Sequence, residues 1–297
     1  MSPSDDGRAQ SEPSAITVTV LVDNLAAQGL QSEHGFSVWI EVDGRRVLFD
    51  TGQGLALEGN AAKLGVDLRA VDVLVLSHGH YDHTGGVPLV VARAPAAEIY
   101  AHPAATGPRF SLRGEDAKPI GMAASTRAAL DVHPVGVRWT AQPRQLSFGL
   151  GLTGPIPRLT EYEDTGGPFF IDAAGSDPDP LEDDLALWLR TSQGLVVVVG
   201  CSHAGLVNTL HQALKVSGES QLHAVLGGFH LKEASAPRLV QTVAALQKLA
   251  PDLVVPCHCT GSAAVERLEQ TFGERVVQGG AGAVFRFGDV AGKRGHR

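Results

Sequence analysis

The chain is short of sulfur, of aromatic rings and of positive charge, and each shortage closes off a class of protein. Its three cysteines in 297 residues are Cys201, Cys257 and Cys259, an odd number with two of them one residue apart. That excludes a disulfide-stapled framework and suits a reducing compartment. Aromatic residues are 5% of the chain against 43% hydrophobic overall, so the core has to be aliphatic. With 24 Lys and Arg against 32 Asp and Glu, the net charge is −8. General nucleic-acid binding needs a basic surface to displace counterions, so no nucleic-acid partner is expected. The longest aliphatic run, residues 195–199, is far short of the roughly 20 residues that span a bilayer. The N-terminus shows neither a basic nor an apolar leader region, which leads us to expect a soluble cytoplasmic protein with no membrane partner. No repeat of fixed period and no linker between two cores is visible.

What is present is a regular alternation of strand and helix signals. Residues 1–15, rich in Ser, Pro and Asp, read as a disordered tail. Residues 16–22 and 36–42 read as strands, and Asp43-Gly44 before residues 46–49 is a hairpin signal. A helix is expected over 55–65, a short strand over 71–76, a helix over 86–94 and a strand over 98–101. Residues 107–180 read as long surface loops joined by short strands. Strands follow at 185–189 and 194–200, a helix at 207–216, a strand at 223–226, a helix at 237–249 and a strand at 253–256. Two sheets face to face with helices on both outer sides would bury all these apolar faces. The expected fold is therefore α/β (α+β), a four-layer αββα sandwich formed by a single domain over residues 16–290.

Chemistry concentrates in His78-Gly79-His80-Tyr81-Asp82-His83, directly after an apolar strand. Three imidazoles and a carboxylate in six positions form a nitrogen and oxygen set that suits zinc, with manganese or iron as alternatives. His78 and His80 project to one side of an extended segment and can share an ion, while Asp82 and His83 begin the next turn and can reach a second.

This run resembles the H-x-H-x-D-H signature of the metallo-β-lactamase superfamily, and Phe49-Asp50-Thr51-Gly52 resembles its upstream aspartate motif. More narrowly, Glu33-His34-Gly35, Ile156-Pro157-Arg158, Gly200-Cys201-Ser202-His203, Gly227-Gly228-Phe229-His230 and Pro256-Cys257-His258-Cys259 resemble the dihydropterin ribofuranosylaminobenzene phosphate synthase-like branch. The resemblance implies two divalent ions held by His78, His80, Asp82, His83, His203 and His258. Asp50 would orient a ligating histidine from behind. The family's usual Pro-Gly-His-Thr motif is absent and Glu182-Asp183-Asp184-Leu185 stands in its place, so the third ligand of the first ion is His203, with Asp184 or Cys201 as alternatives. Cys201 falls where relatives carry a bridging aspartate or a cysteine; a buried packing thiol is its other reading. Cys257 and Cys259 read as packing residues.

Asp82 and His230 are the candidate catalytic groups, and His34 and Arg158 the candidate substrate contacts. His102 stands as a weaker histidine candidate, and Arg109 and Arg113 as further cations able to hold a phosphate or carboxylate. The implied activity is hydrolysis of a small phosphoester, lactone or related electrophile by a metal-activated hydroxide. The alternative is a synthase-like transferase releasing pyrophosphate. A di-iron redox enzyme is disfavoured, because such relatives carry Glu where this chain has His80 and add a flavodoxin domain. A metal-bound binding module without turnover is the remaining class.

Overall fold

Alternation along the strands sorts most of the apolar residues into three large cores and so sets the layers. The computed structural model describes residues 16–113, 116–288 and 290; the tail expected over 1–15 lies outside the described residues. The strands in chain order are β1 (Ile16–Val22), β2 (Ser37–Val42), β3 (Arg45–Phe49), β4 (Val73–Val75), β5 (Glu98–Ala101), β6 (Phe110–Leu112), β7 (Ala117–Pro119) and β8 (Val137–Trp139). They continue as β9 (Arg144–Ser147), β10 (Leu150–Leu152), β11 (Phe169–Phe170), β12 (Ala186–Thr191), β13 (Gly194–Val199), β14 (Leu222–Gly228), β15 (Leu253–Cys257) and β16 (Val284–Phe287). The helices are α1 (Leu57–Lys63), α2 (Tyr81–Thr84), α3 (Val87–Arg93), α4 (Ala124–Asp131), α5 (Leu206–Ser217), α6 (Ala236–Leu249) and α7 (Ser262–Phe272).

One sheet runs β16, β1, β2, β3, β4, β5, β8; the second runs β15, β14, β13, β12, β10, β9; and β11, β6 and β7 form a small third sheet. Val18, Ile40 and Phe49 of the first sheet meet Leu187, Val198 and Leu226 of the second to make the central core. On the outer face of the first sheet, Trp39, Leu48 and Leu74 pack with Leu57 of α1 and Val87 and Val90 of α3. On the other side, Val197 and Val225 pack with Leu210, Leu246 and Leu268 of α5, α6 and α7. The run 195–199 shows the logic in one strand: Val196 and Val198 face the opposite sheet, while Leu195, Val197 and Val199 face the helices. A strand buried on both faces has to be apolar throughout, and each such side chain contributes about 1.5–3 kcal/mol. This is the expected αββα sandwich.

The Asp43-Gly44 hairpin forms as read, with positive φ at both turn residues (52° and 74°). The middle section holds more order than expected, namely the three-stranded sheet and α4. These elements are short, and α4 has no side-chain cap to mark its start. Beyond residue 260, α7 and β16 were not anticipated; β16 is four residues long, half exposed, and held in place by pairing with β1. No helix among the described residues is long and apolar enough to cross a membrane.

Strands β3, β4 and β5 are mutually parallel, as are β13, β14 and β15. Asp50 and His78 follow the first set, and Cys201, His230 and His258 follow the second. The carboxyl ends of both sets open onto one edge of the sandwich.

Candidate metal centre

The histidine loop is clamped from behind. A side chain at Gly79 would place its Cβ 2.0 Å from the Ala105 carbonyl oxygen, so only glycine lets the loop lie this close. The Gly79 N–H donates to Asp183 Oδ2 at 2.8 Å, and Asp183 Oδ1 pairs with Arg109 at 2.7 Å. Arg109, considered above as a cation for phosphate, is instead buried between Asp183 and Asp179. Burying a guanidinium is tolerable only with such partners, which is why it cannot also serve the cavity.

The structure brings His78, His80 and His203 together as one group whose ligand atoms all lie within 4.8 Å. His78 Nε2 faces His80 Nδ1 at 2.9 Å, and Ser77 Oγ holds His78 Nδ1 at 2.8 Å. His203 is fixed through Nδ1 by the Thr165 carbonyl at 2.8 Å, which leaves its Nε2 pointing inward. Burial first, and then neighbouring cations (His83 for His78, Arg109 for His80, His230 for His203), drives all three well below the usual histidine value. They are therefore neutral, the state in which an imidazole has a lone pair to give. Asp184, the alternative third ligand, has its Oδ2 engaged by the Ala204 N–H at 2.7 Å and lies outside this group. Its burial raises its pKa to about 7, against the lowering effect of that hydrogen bond.

A second group joins Asp82, His258 and His34. Asp82 Oδ2 lies 3.1 Å from His34 Nε2 and 3.4 Å from His258 Nε2. Burial opposes the charge on Asp82, but hydrogen bonds from these two rings and the attraction of His83 hold it well below the ordinary carboxylate range. His258 Nδ1 is fixed by Asn24 Oδ1 at 2.9 Å. His34 is more than half exposed and sits on the cavity wall.

His83 lies between the groups. Asp50 Oδ2 receives its Nδ1 at 2.7 Å, and the same carboxylate takes the Ser77 N–H at 2.7 Å and the Ser77 hydroxyl at 2.6 Å. Burial disfavours a charged ring, yet the Asp50 carboxylate overrides it and pushes His83 up to about 9. The outer nitrogen, Nε2, is left 3.2 Å from Cys201 Sγ, and His78, His83 and Cys201 form a further ligand group.

Three of the four strand-end turns reaching the site from β3, β13, β14 and β15 put a non-glycine functional residue itself in the left-handed region: Asp50 (59°), His230 (47°) and His258 (48°). The fourth does so at Ser202 (55°), between Cys201 and His203. Such conformations cost about 1–3 kcal/mol each and collect where geometry is imposed for function.

These residues open onto a cavity of about 280 Å³ lined by His80, Asp82, His203, His230, His258, Cys201 and Cys259. Tyr81, Ile120 and Phe169 also line it, with Arg113, Lys118 and Lys232. Lys118 lies 5.4 Å above the Tyr81 ring, and Arg113 pairs with Glu233. His230 Nε2 bonds the Gly166 carbonyl at 3.1 Å, and the ring forms a further ligand group with Cys201 and Cys259. Arg158, expected at the substrate, does not line this cavity; its guanidinium bonds the carbonyls of His203 and Pro180, both at 2.9 Å, and so braces the His203 turn. His102 caps a short helical turn through the Ala104 N–H. Sequence reasoning missed Phe169 and Lys118, which lie on the two- and three-residue strands β11 and β7, and Lys232, which lies beyond the end of β14. It also read Cys259 as packing; the residue lines the cavity, with its sulfur 3.4 Å from Cys201 Sγ.

A divalent cation fits this donor set. The Nε2 atoms of His80 and His203 are buried with no hydrogen-bond partner among the described residues, a cost of about 1–3 kcal/mol each that a bound cation would remove.

An αββα sandwich with imidazoles gathered at its open strand-end edge is the architecture of a metal-dependent enzyme fold, and comparison with known proteins agrees. The sequence pattern of the metallo-beta-lactamase superfamily matches residues 32–213. The chain belongs to that superfamily, and the family implies divalent metal binding. It is 32% identical over 274 residues, 86% of this chain and 90% of the relative, to a 7,8-dihydropterin-6-methyl-4-(beta-D-ribofuranosyl)-aminobenzene-5'-phosphate synthase of Methanocaldococcus jannaschii. The crystal structure of Tm1679, a metal-dependent hydrolase of the beta-lactamase superfamily, superposes with a TM-score of 0.80 at 32% identity, covering 92% of this chain and all of that one. The metallo-beta-lactamase fold protein YhfI of Bacillus subtilis shares the fold alone, at a TM-score of 0.54 and 11% identity over 92% of this chain and all of that one.

Proposed function

We propose that this chain, acting as one domain over residues 16–290, is a dinuclear metal-dependent hydrolase of small phosphoesters, lactones or related electrophiles in the cytoplasm. The observation that supports it most is the adjacency of two donor groups, one all-imidazole and neutral, the other anionic, on the floor of one cavity. His78, His80 and His203 hold one ion; Asp82, His83 and His258 hold the other, with Cys201 beside them. Zinc suits this nitrogen, oxygen and sulfur set best, with manganese or iron next. Such a pair supplies, when bound, a water acidified to near pH 7 and positive charge where negative charge develops. The protein's own contribution is placement. Asp50 fixes the ring plane of His83, and the Thr165 carbonyl and Asn24 do the same for His203 and His258. His230, whose ring groups with Cys201 and Cys259 beside the cavity, is placed to hand a proton to a leaving group, while Asp82 stays ionised. Arg113, Lys118 and Lys232 favour an anionic small molecule, and Tyr81 and Phe169 a planar one.

Elemental analysis of wild type, His80→Ala, His203→Ala and His258→Ala, with phosphodiesterase and lactone assays, tests the proposal. About two ions per chain, lost in part with turnover in each variant, is the expected result. A full complement in His203→Ala would move the third ligand to Asp184 or Cys201, and metal-replete protein inert toward every substrate class would end the hydrolase reading. The synthase-named relative favours a second reading, transfer to a carbon nucleophile with pyrophosphate leaving. Pyrophosphate released from a pterin diphosphate only when an acceptor is present would select it.

A further inference from the structure

From the packing of Cys201 against Cys259, we infer that these two cysteines are a reversible oxidation site, closing to a disulfide on the cavity floor. Their sulfurs lie 3.4 Å apart although 58 residues separate them in sequence. Cys201 follows β13 and Cys259 follows β15, with β14 lying between those two strands. Side chains two strands apart do not ordinarily meet, because the spacing is roughly 4.8 Å per strand. Here they meet because β14 ends in glycine. A Cβ at Gly228 would lie 2.6 Å from Cys259 Sγ and 3.5 Å from Cys201 Cα, so the missing side chain is the space through which one sulfur reaches the other.

The third cysteine is kept out of this pair. Cys257 is the last residue of β15 and packs in the core between the sheets, and the left-handed turn at His258 (48°) swings Cys259 to the cavity instead. Both Cys201 and Cys259 line the cavity, so a small oxidant reaches them along the route open to a substrate. Hydrogen peroxide is the oxidant we assign. The sulfur of the more exposed Cys259 attacks one peroxide oxygen, the O–O bond breaks, and water leaves with the thiol proton, giving a sulfenic acid. The Cys201 sulfur then attacks that sulfur and expels the hydroxyl, which departs as a second water with the Cys201 proton. Two thiols lose two electrons and the peroxide gains them. Cys201 Sγ lies 3.2 Å from His83 Nε2, so a change at this sulfur reaches the histidine centre without touching a histidine. Forming the bond requires no turnover, and its test stands apart from the proposed hydrolysis.

The experiment treats the full chain as purified with a slight excess of hydrogen peroxide. Thiols are counted after denaturation, and cross-linked peptides are mapped by mass spectrometry. The expected result is a fall from three thiols to one, a Cys201–Cys259 cross-link, and full recovery with dithiothreitol. In Cys257→Ala the count falls from two to none with the same cross-link. In Cys259→Ser the cross-link does not form. Wild-type protein that keeps three thiols overturns the proposal. So does oxidation that stops at sulfinic acid on Cys259, or a bridge that involves Cys257; none of these outcomes depends on a variant folding.

Discussion

The two halves of the chain build their shares of the site in different ways. The N-terminal half delivers His78, His80, Asp82 and His83 from a single turn, with Asp50 behind it. The C-terminal half delivers Cys201, His203, His230, His258 and Cys259 from three separate strand ends, each turned by one left-handed non-glycine residue. A contiguous loop needs one clamp, and Arg109 with Asp183 supplies it. Scattered ligands need their own braces: Thr165 for His203, Gly166 for His230 and Asn24 for His258. Donor density along the sequence is thus exchanged for backbone strain and individual hydrogen bonds.

The strongest way to break this contrast is to remove one ligand from each half. His80→Ala and His258→Ala should each lose bound metal along with turnover; elemental analysis showing full occupancy in either would dissolve the equivalence. Next in size is the clamp. Arg109→Ala leaves Asp179 and Asp183 buried without their cation and should cost about 3–5 kcal/mol in denaturant unfolding. A loss under about 1 kcal/mol would mean the loop holds itself. Asp50→Asn keeps the shape but weakens the orientation of His83, and should reduce metal affinity about 10–100-fold in competition with a chelator.

The same pair gives a pH signature. In metal-free protein His83 is raised from 6.5 to about 9, so its pairing with Asp50 stabilises fully below pH 6.5 and is lost as pH rises through about 9. Unfolding temperature of the stripped protein should fall across that window. Ligation needs the neutral ring, so zinc uptake at pH 7 should expel about one proton per chain from this site. Calorimetry in two buffers of different ionisation enthalpy measures it, and no release would remove His83 from the ligand set. The smallest effect is a control on strain. Ala250 (φ 47°) is left-handed at the end of α6 and exposed, so Ala250→Gly should stabilise by about 1 kcal/mol. If it does not, left-handed residues in this chain carry no cost, and the argument from strain at His230 and His258 falls with it.

Legibility follows the same division. The alternation of residues 16–22 and 194–200, the Asp-Gly hairpin and the apolar strand before His78 were readable because each is a local pattern with a fixed period. His203 and His258 were readable only as histidines after strands. Phe169 and Lys118 were not readable at all, because their elements are three residues or fewer and owe their place to the small third sheet. Cys259 was readable only as a packing residue like Cys257, and the left-handed turn at His258 is what sends it to Cys201 and the cavity.

The sequence by itself determined the layered sandwich and the histidine loop, since burial on two faces and donor density are properties of neighbouring residues. Only the tertiary structure decided that His203 rather than Asp184 joins His78 and His80, that Arg109 is structural, and that Cys201 meets Cys259. Each of those depends on which strand ends share an edge and which glycine leaves a gap there, and contacts between residues 58 or more positions apart leave no trace in local periodicity.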